Sequence, residues 1–348
     1  MTVTKASVFV AGSWGTALAA VLADNGIDVL IWSRNETQVR EINENRTNER
    51  SLPGERLPAN ITATSDLERA VSHGEALVFV APSSAMRQVV RSVKDFVKPG
   101  QLIVHATKGF ETETLKRMSA VIADELTQID PQRIVVLSGP SHAEEVIRRM
   151  PTTVVVASEH KESAEAAQDL FINTYLRVYT NPDVLGVEIG GALKNIIALG
   201  AGMSDGLGFG DNAKAALLTR GLAEIARLGT AMGANPLTFA GLAGVGDLIV
   251  TGTSKLSRNW RAGSKLAGGM PLEEVLQSIG MVVEGVKTTK AACLLAKAHG
   301  IEMPIASSLY AVLFEGKHPR DAVEDLMGRG RTHEIEEIAR IAAPKWNV

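Results

Sequence analysis

Ala6-Ser7-Val8-Phe9-Val10-Ala11-Gly12-Ser13-Trp14-Gly15-Thr16-Ala17-Leu18 is the stretch on which the fold turns. The uncharged run Ala6 to Ala11 reads as a buried strand, the glycines at 12 and 15 as a turn, and Trp14 to Asn25 as a helix. The segment Ala6 to Ala23 has no charge and follows Lys5, as a leader or a short membrane span would. Gly12, Ser13, Gly15 and Thr16 interrupt it, and no small-residue cleavage pattern follows. Strand, turn and helix is the better reading.

Working outward, short β-branched runs recur through the first half: Ser7 to Val10, Val29 to Trp32, Leu77 to Val80, Leu102 to His105, Ile134 to Leu137 and Thr153 to Val156. Helical patterns lie between most of them. Alternation of this kind predicts parallel strands with crossover helices, and strands apolar throughout predict a sheet covered on both faces. After Asn181-Pro182 the strand-like runs nearly vanish, and Ala/Leu/Gly-rich helical patterns continue almost to the end. The expected architecture is α/β: a Rossmann-like doubly wound sheet domain over residues 1–182, followed by an all-α domain over residues 183–348.

The 348 residues are 45% hydrophobic and 22% charged, which excludes a disordered or disulfide-stapled chain. A net charge of −3 gives no basic field for nucleic acid or for anionic membranes. The Gly count of 32, without a Gly-X-Y period, points to tight turns and close backbone approaches. The single cysteine, Cys293, cannot close an internal disulfide, and no Cys/His cluster suggests a metal. Its neighbours Ala291, Ala292, Leu294 and Leu295 place it in core packing. A reducing cytoplasm is the natural compartment.

A glycine turn between a strand and a helix is the context of a dinucleotide fingerprint. Gly12 would let the backbone approach a pyrophosphate, Gly15 would let helix pack on strand, and the helix N-terminus would face the phosphates. Val10 stands where the first glycine of G-x-G-x-x-G belongs, so a plain strand–turn–helix satisfies the same pattern. The second strand ends at Trp32-Ser33-Arg34-Asn35, without the carboxylate that grips an NAD ribose. Arg34 suits a 2′-phosphate and hence NADP; it also suits a solvated charge opening the next helix.

Three further stretches carry chemistry. Thr107-Lys108-Gly109 follows an apolar strand, at the strand end where open α/β sheets bind ligands, although a lysine in a turn is also an ordinary surface feature. Gly186 to Leu199 reads as a helix apolar nearly all round, which buries Lys194 and Asn195. Burial lowers a lysine pKa toward the working range of a proton donor. A snorkelling lysine would account for Lys194 but not for Asn195 or the paired glycines at 190 and 191. Gly244 to Thr251 leads into Ser257-Arg258-Asn259, where an N-cap serine, helix N–H groups and a guanidinium suit a phosphate monoester. A capped surface helix has the same pattern.

Taken together, these segments resemble the bacterial NAD(P)-dependent sn-glycerol-3-phosphate dehydrogenases over almost the whole chain. The resemblance is carried by GSWGTAL at 12–18, TKG at 107–109, LSGPSHAEEV at 137–146 and VEIGGALKNIIALGAG at 187–202. It continues through GLGFGDNAKAAL at 206–217, GVGDLIVT at 244–251, SRNWRAG at 257–263 and MVVEGVKT at 281–288. It implies reduction of dihydroxyacetone phosphate to sn-glycerol 3-phosphate with NADP or NAD, a supply for glycerophospholipid synthesis. It also implies a cytoplasmic homodimer without nucleic-acid binding or membrane insertion.

By the same resemblance, Gly12, Ser13, Trp14, Gly15, Arg34, Ala143, Val282 and Glu284 contact the cofactor. Lys108 touches both cofactor and substrate, and Gly139 and Ser141 line the substrate site. Lys194 is the acid/base, supported by Asn195, Asp247 and Thr251, while Ser257, Arg258 and Asn259 hold the phosphate and Arg258 also reaches the cofactor. Val10 is the departure, since the family usually has glycine there. A valine does not enter left-handed backbone cheaply, so the expectation is a changed turn or a changed cofactor affinity. A β-hydroxyacid dehydrogenase shares this domain plan and a helix lysine, but the phosphate-directed turn at Ser257 argues against it. A catalytically dead nucleotide-binding module is opposed by the intact Lys194 and Asp247.

Overall fold

The structure, a computed structural model, describes residues 3–331. It divides into two compact units: one formed by the chain up to Glu111 together with Lys116–Val184, the other by Thr112–Leu115 together with the chain from Leu185 onward.

The first unit is built on the strands β1 (Lys5–Phe9), β2 (Asp28–Trp32), β5 (Ile61–Thr64), β6 (Ala76–Phe79), β7 (Leu102–His105), β8 (Val135–Ser138), β9 (Thr152–Ala157) and β10 (Leu176–Asn181), in the spatial order β10-β9-β8-β7-β6-β1-β2-β5. β3 (Thr47–Asn48) and β4 (Leu52–Arg56) form a separate antiparallel hairpin. The helices are α1 (Ser13–Asp24), α2 (Glu36–Asn45), α3 (Leu67–His73), α4 (Met86–Val93), α5 (Met118–Glu125), α6 (Ala143–Ile147) and α7 (Lys161–Phe171).

Successive strand residues point to opposite faces, and here both faces are apolar. Ala6, Val8, Val29, Ile31, Val78 and Val104 pack into one core with α1, whereas Phe9, Trp32, Leu77, Phe79 and Ile103 pack into another with α4 and α5. Phe9 and Phe79 stack across β1 and β6 with ring centroids 4.8 Å apart. The expected Rossmann-like sheet is present, with one difference. β9 runs antiparallel to β8, so β9 and β10 form a parallel pair reversed against the other strands. Between β8 and β9 the chain forms only the five-residue α6, without the long crossover helix that usually accompanies a parallel return.

The second unit is helical: α8 (Val184–Gly206), α9 (Asp211–Ala231), α10 (Asp247–Thr253), α11 (Arg258–Ala267), α12 (Leu272–Ile279), α13 (Glu284–His299), α14 (Pro304–Phe314) and α15 (Pro319–Met327). Among the described residues α8 alone is long and apolar enough to cross a membrane, but 94% of its apolar window is buried inside the protein. It is a core helix. Its glycines explain how: a Cβ on Gly202 would lie 1.9 Å from the Trp260 carbonyl oxygen, and one on Gly263 would lie 1.9 Å from that of Leu199. α8 and α11 therefore touch backbone to backbone. Cys293, expected in the core, is only half-buried, and burial pushes its thiol up to about 11.

Glu224 of α9 is buried, and its carboxylate accepts from the backbone N–H groups of Ile305 (2.7 Å) and Ala306 (3.3 Å) at the start of α14. Burial pushes this group up to about 7 from an ordinary value near 4.5, against the pull of those two bonds and of Arg227 and Arg329. Between these values the folded protein holds a proton that the unfolded chain has released. The contribution to stability is thus fully present below about 4.5 and is lost as pH rises through about 7. Melting curves should show the wild type losing more Tm than Glu224→Gln between pH 5 and pH 7.5. Parallel losses would remove Glu224 from the pH response.

Candidate active site

In the first unit β1 delivers the chain to the glycine turn, where the Val10 N–H donates to the Trp32 carbonyl at 3.0 Å. Val10 has φ +84°, so the turn keeps its left-handed residue with a valine in it. For a β-branched residue this is a genuine outlier, costing about 1–3 kcal/mol. The valine thus adopts left-handed backbone at that cost. The Val10 carbonyl packs directly on Gly15, where an added Cβ would sit 2.3 Å from its oxygen, so the turn requires glycine at that position. Beside Gly12 an added Cβ would meet nothing within 4 Å, so the outer side of the turn is open.

Ser13 opens α1 and donates its hydroxyl to the Ser51 carbonyl at 2.6 Å. Trp14, beside it, is partly buried against the first core. β2 ends beneath the exposed Arg34, and Asn35 caps α2 by accepting from Thr37 and Gln38 N–H groups. Sequence reasoning missed the residues around this turn: Gln38, Asn48 and Ser51 all reach the Ala11 carbonyl.

Lys108 lies just past the end of β7. Thr107 anchors the segment by donating to the Ala81 carbonyl at 2.6 Å, and Arg87 grips Glu111 with Nε and an Nη at 2.6 and 2.7 Å. Lys108 Nζ donates to the Gly139 carbonyl at 2.9 Å, and Ser141 Oγ donates to the same oxygen at 2.9 Å. Gly139, at φ +120°, follows β8 where a Cβ would press on Val154. Three expected substrate residues thus meet beyond the ends of two adjacent strands, and the buried Ala143 starts α6 two residues after Ser141.

In the second unit the Gly190 position lies against Ala243: an added Cβ would be 2.6 Å from that carbonyl oxygen. Lys194, one helical turn further along the same face of α8, meets Asp247, the first residue of α10. Residues Leu242–Gly246 before it form a π-helical turn, a rare distortion that is frequent at functional sites. Lys194 Nζ is 2.8 Å from Asp247 Oδ1 and donates to Thr251 Oγ1 at 2.6 Å; Thr251 Oγ1 donates to the Asp247 carbonyl at 2.6 Å. The lysine and aspartate side chains are 8% and 1% exposed, so the pair is dry. Burial favours the neutral amine and the neighbouring carboxylate favours the ammonium, two opposing effects at one nitrogen.

Asn195 Oδ1 accepts from Asn259 Nδ2 at 2.8 Å, and Asn259 Oδ1 accepts from the Gly285 N–H at 2.8 Å. That bond ties the start of α13, with Val282 and Glu284, to the same cluster. Ser257 is the N-cap of α11, accepting from the Trp260 N–H at 3.2 Å, and Arg258 beside it is exposed.

An eight-stranded, mostly parallel sheet with a glycine turn after its first strand, joined in one chain to a helical unit holding a buried lysine–aspartate pair, defines the class of dinucleotide-dependent dehydrogenases. Two family models match the chain, the NAD-dependent glycerol-3-phosphate dehydrogenase N-terminus over residues 5–164 and its C-terminus over residues 183–324. A glycerol-3-phosphate dehydrogenase [NAD(P)+] of Geobacillus thermodenitrificans is 59% identical over 97% of this chain and 98% of its own length. One from Bacillus licheniformis is 56% identical over 96% and 97%. The crystal structure of glycerol-3-phosphate dehydrogenase from Coxiella burnetii matches with a TM-score of 0.89 at 38% identity, covering 93% of this chain and 99% of that one. The chain belongs to the NAD-dependent glycerol-3-phosphate dehydrogenase family.

Proposed function

We propose that this protein reduces dihydroxyacetone phosphate to sn-glycerol 3-phosphate with NADPH or NADH. The observation that carries the reading is the buried Lys194 Nζ, held by Asp247 and Thr251 on the unit that also bears the Ser257-Arg258-Asn259 turn. Its high identity to enzymes of that name supports the substrate.

The residues present fit a dinucleotide. The turn is open beside Gly12, Gly15 admits the close approach of α1, and an arginine stands at the end of β2. Gly12, Ser13, Trp14 and Gly15 would hold the pyrophosphate end, Arg34 a 2′-phosphate, with Lys108, Ala143, Arg258, Val282 and Glu284 as further contacts. When bound, the reduced nicotinamide supplies a hydride to the substrate C2.

Lys194 stabilises the carbonyl oxygen as negative charge develops there and gives it a proton, while Asp247 and Thr251 fix the position of Nζ. Asn195 is held by Asn259 beside it. Ser257, Arg258 and Asn259, with Lys108, Gly139 and Ser141, bind the substrate and turn phosphate binding into placement of the carbonyl. We read the working form as a cytoplasmic homodimer that neither binds nucleic acid nor inserts in membranes, its product feeding glycerophospholipid synthesis. The division of labour we assign is cofactor binding chiefly to residues 1–182 and catalysis to residues 183–348.

The test of the reaction is product analysis: incubation with dihydroxyacetone phosphate and NADPH should yield the sn-3 enantiomer of glycerol phosphate. Loss of NADPH without that product would refute it. Arg34 makes a separate claim on the cofactor. Arg34→Ala should raise KM for NADPH about 10-fold or more, the worth of a charge-assisted bond, with little change for NADH. Equal effects on both would assign Arg34 to the adenosine pocket or to α2.

A further inference from the structure

Three side chains converge on one backbone oxygen in the glycine turn. The Ala11 carbonyl accepts from Gln38 Nε2 at 2.9 Å, Asn48 Nδ2 at 3.0 Å and Ser51 Oγ at 2.9 Å. Asn48 is completely buried, and its amide is fully employed. Nδ2 also donates to Thr16 Oγ1 at 2.8 Å, and Oδ1 accepts from Gln38 Nε2 at 2.8 Å. Gln38 in turn accepts from Ser33 Oγ at 2.6 Å, next to Arg34. Ser13 closes the other side through its bond to the Ser51 carbonyl. The short β3–β4 hairpin and the first turn of α2 thus deliver a polar clamp to the Ala11–Gly12 peptide, the second peptide after Val10.

A trans peptide is planar, with its N–H pointing opposite to its C=O. Pinning the Ala11 oxygen toward the hairpin therefore aims the Gly12 N–H the other way, toward the open side of the turn. With the Val10 N–H held by the Trp32 carbonyl at 3.0 Å on one side and the Ala11 oxygen pinned on the other, the short stretch between them cannot rotate freely out of the φ of +84° at Val10. We propose that Gln38, Asn48 and Ser51 are positioning residues for dinucleotide binding, a clamp on the Ala11 carbonyl that presents the Gly12 N–H and holds Val10 in left-handed backbone. This rests on the reading of the turn as the pyrophosphate site. It predicts a cofactor effect blind to the 2′-phosphate, unlike that of Arg34.

The test measures Kd for NADH and NADPH by fluorescence, together with steady-state kinetics, in the full-length chain. The variants are wild type, Asn48→Ala, Ser51→Ala, Val10→Gly and Val10→Gly/Asn48→Ala. Circular dichroism establishes that each is folded; Ser51→Ala removes a single bond to Ala11 and serves where the buried Asn48→Ala does not fold. Asn48→Ala should weaken both cofactors about tenfold by the same factor, and Ser51→Ala about threefold, with the loss in KM and not in kcat. With glycine at position 10 the left-handed backbone is free of strain, so the loss from Asn48→Ala should shrink at least threefold.

A wild type that binds neither cofactor would refute the pyrophosphate reading itself. A wild type that binds while the folded variants bind equally well would overturn the clamp alone. Weakening confined to NADPH, or a fall in kcat at unchanged KM, would overturn it as well. An equal loss in the valine and glycine backgrounds would overturn the hold on Val10.

Discussion

Lys194→Ala should lower kcat by about 10²–10⁴-fold, the range for loss of a positioned general acid, while binding of NADPH stays near its wild-type value. The variant also strands Asp247, buried and 1% exposed, without its counter-charge. Breaking a buried pair from one side costs about 3–5 kcal/mol, so a lower Tm is expected alongside the kinetic loss. The pair variant Lys194→Met/Asp247→Asn separates the two effects. Removing both charges should restore most of the Tm and none of the turnover. If activity returns with stability, Lys194 holds the helices together and is not the proton donor. Near-normal turnover in folded Lys194→Ala would dismiss it from the mechanism outright.

Arg258→Ala should cost roughly 10- to 150-fold in kcat/KM for dihydroxyacetone phosphate, as a guanidinium bond to a phosphate is worth about 1.5–3 kcal/mol. Arg258 is exposed, at the first position of α11 behind the buried cap Ser257, so the substitution leaves the core untouched. Dihydroxyacetone, without the phosphate, should be a poor substrate for the wild type and lose little more in the variant. If both substrates lose the same factor, Arg258 serves the cofactor or the fold. Arg258→Lys should recover only part of the loss, because a point charge cannot reproduce the planar fork. Full recovery would make charge alone the requirement.

The central strands are legible because both faces of the sheet are covered, which leaves β1, β2, β6, β7 and β8 as mostly apolar runs. The edges are not. β10 alternates buried Leu176 and Val178 with exposed Arg177 and Tyr179, and β5 is only Ile61-Thr62-Ala63-Thr64 at the opposite edge. Strand direction is invisible to any such pattern, so the reversal of β9 emerges only from pairing. The hairpin Thr47–Arg56 contains Pro53 and Gly54 and resembles a loop in sequence.

In the site, Lys194 could be placed on a buried helix by periodicity, and Ser257 at an N-cap by residue type. Their partners are legible only through the family resemblance, which sets Asp247 and Thr251 beside Lys194. Asp247 follows a π-helical turn that Gly190 lets lie against α8 and that closes on Phe239 at Gly244, a contact between segments more than fifty residues apart. Gln38, Asn48 and Ser51 act through a backbone oxygen, and an amide or hydroxyl bonding to main chain leaves no motif. Val10 marks the opposite case: a visible break in a glycine pattern whose conformation survives because neighbours hold it.

Reduction of a phosphorylated ketone by nicotinamide is tested most directly by the initial rate of NADPH and NADH oxidation with dihydroxyacetone phosphate, dihydroxyacetone and a small 3-oxo acid in parallel. Rapid oxidation with the phosphorylated ketone, at a kcat/KM at least 10-fold above either competitor, is the predicted result. Preference for the oxo acid, or equal rates with and without the phosphate, would contradict it.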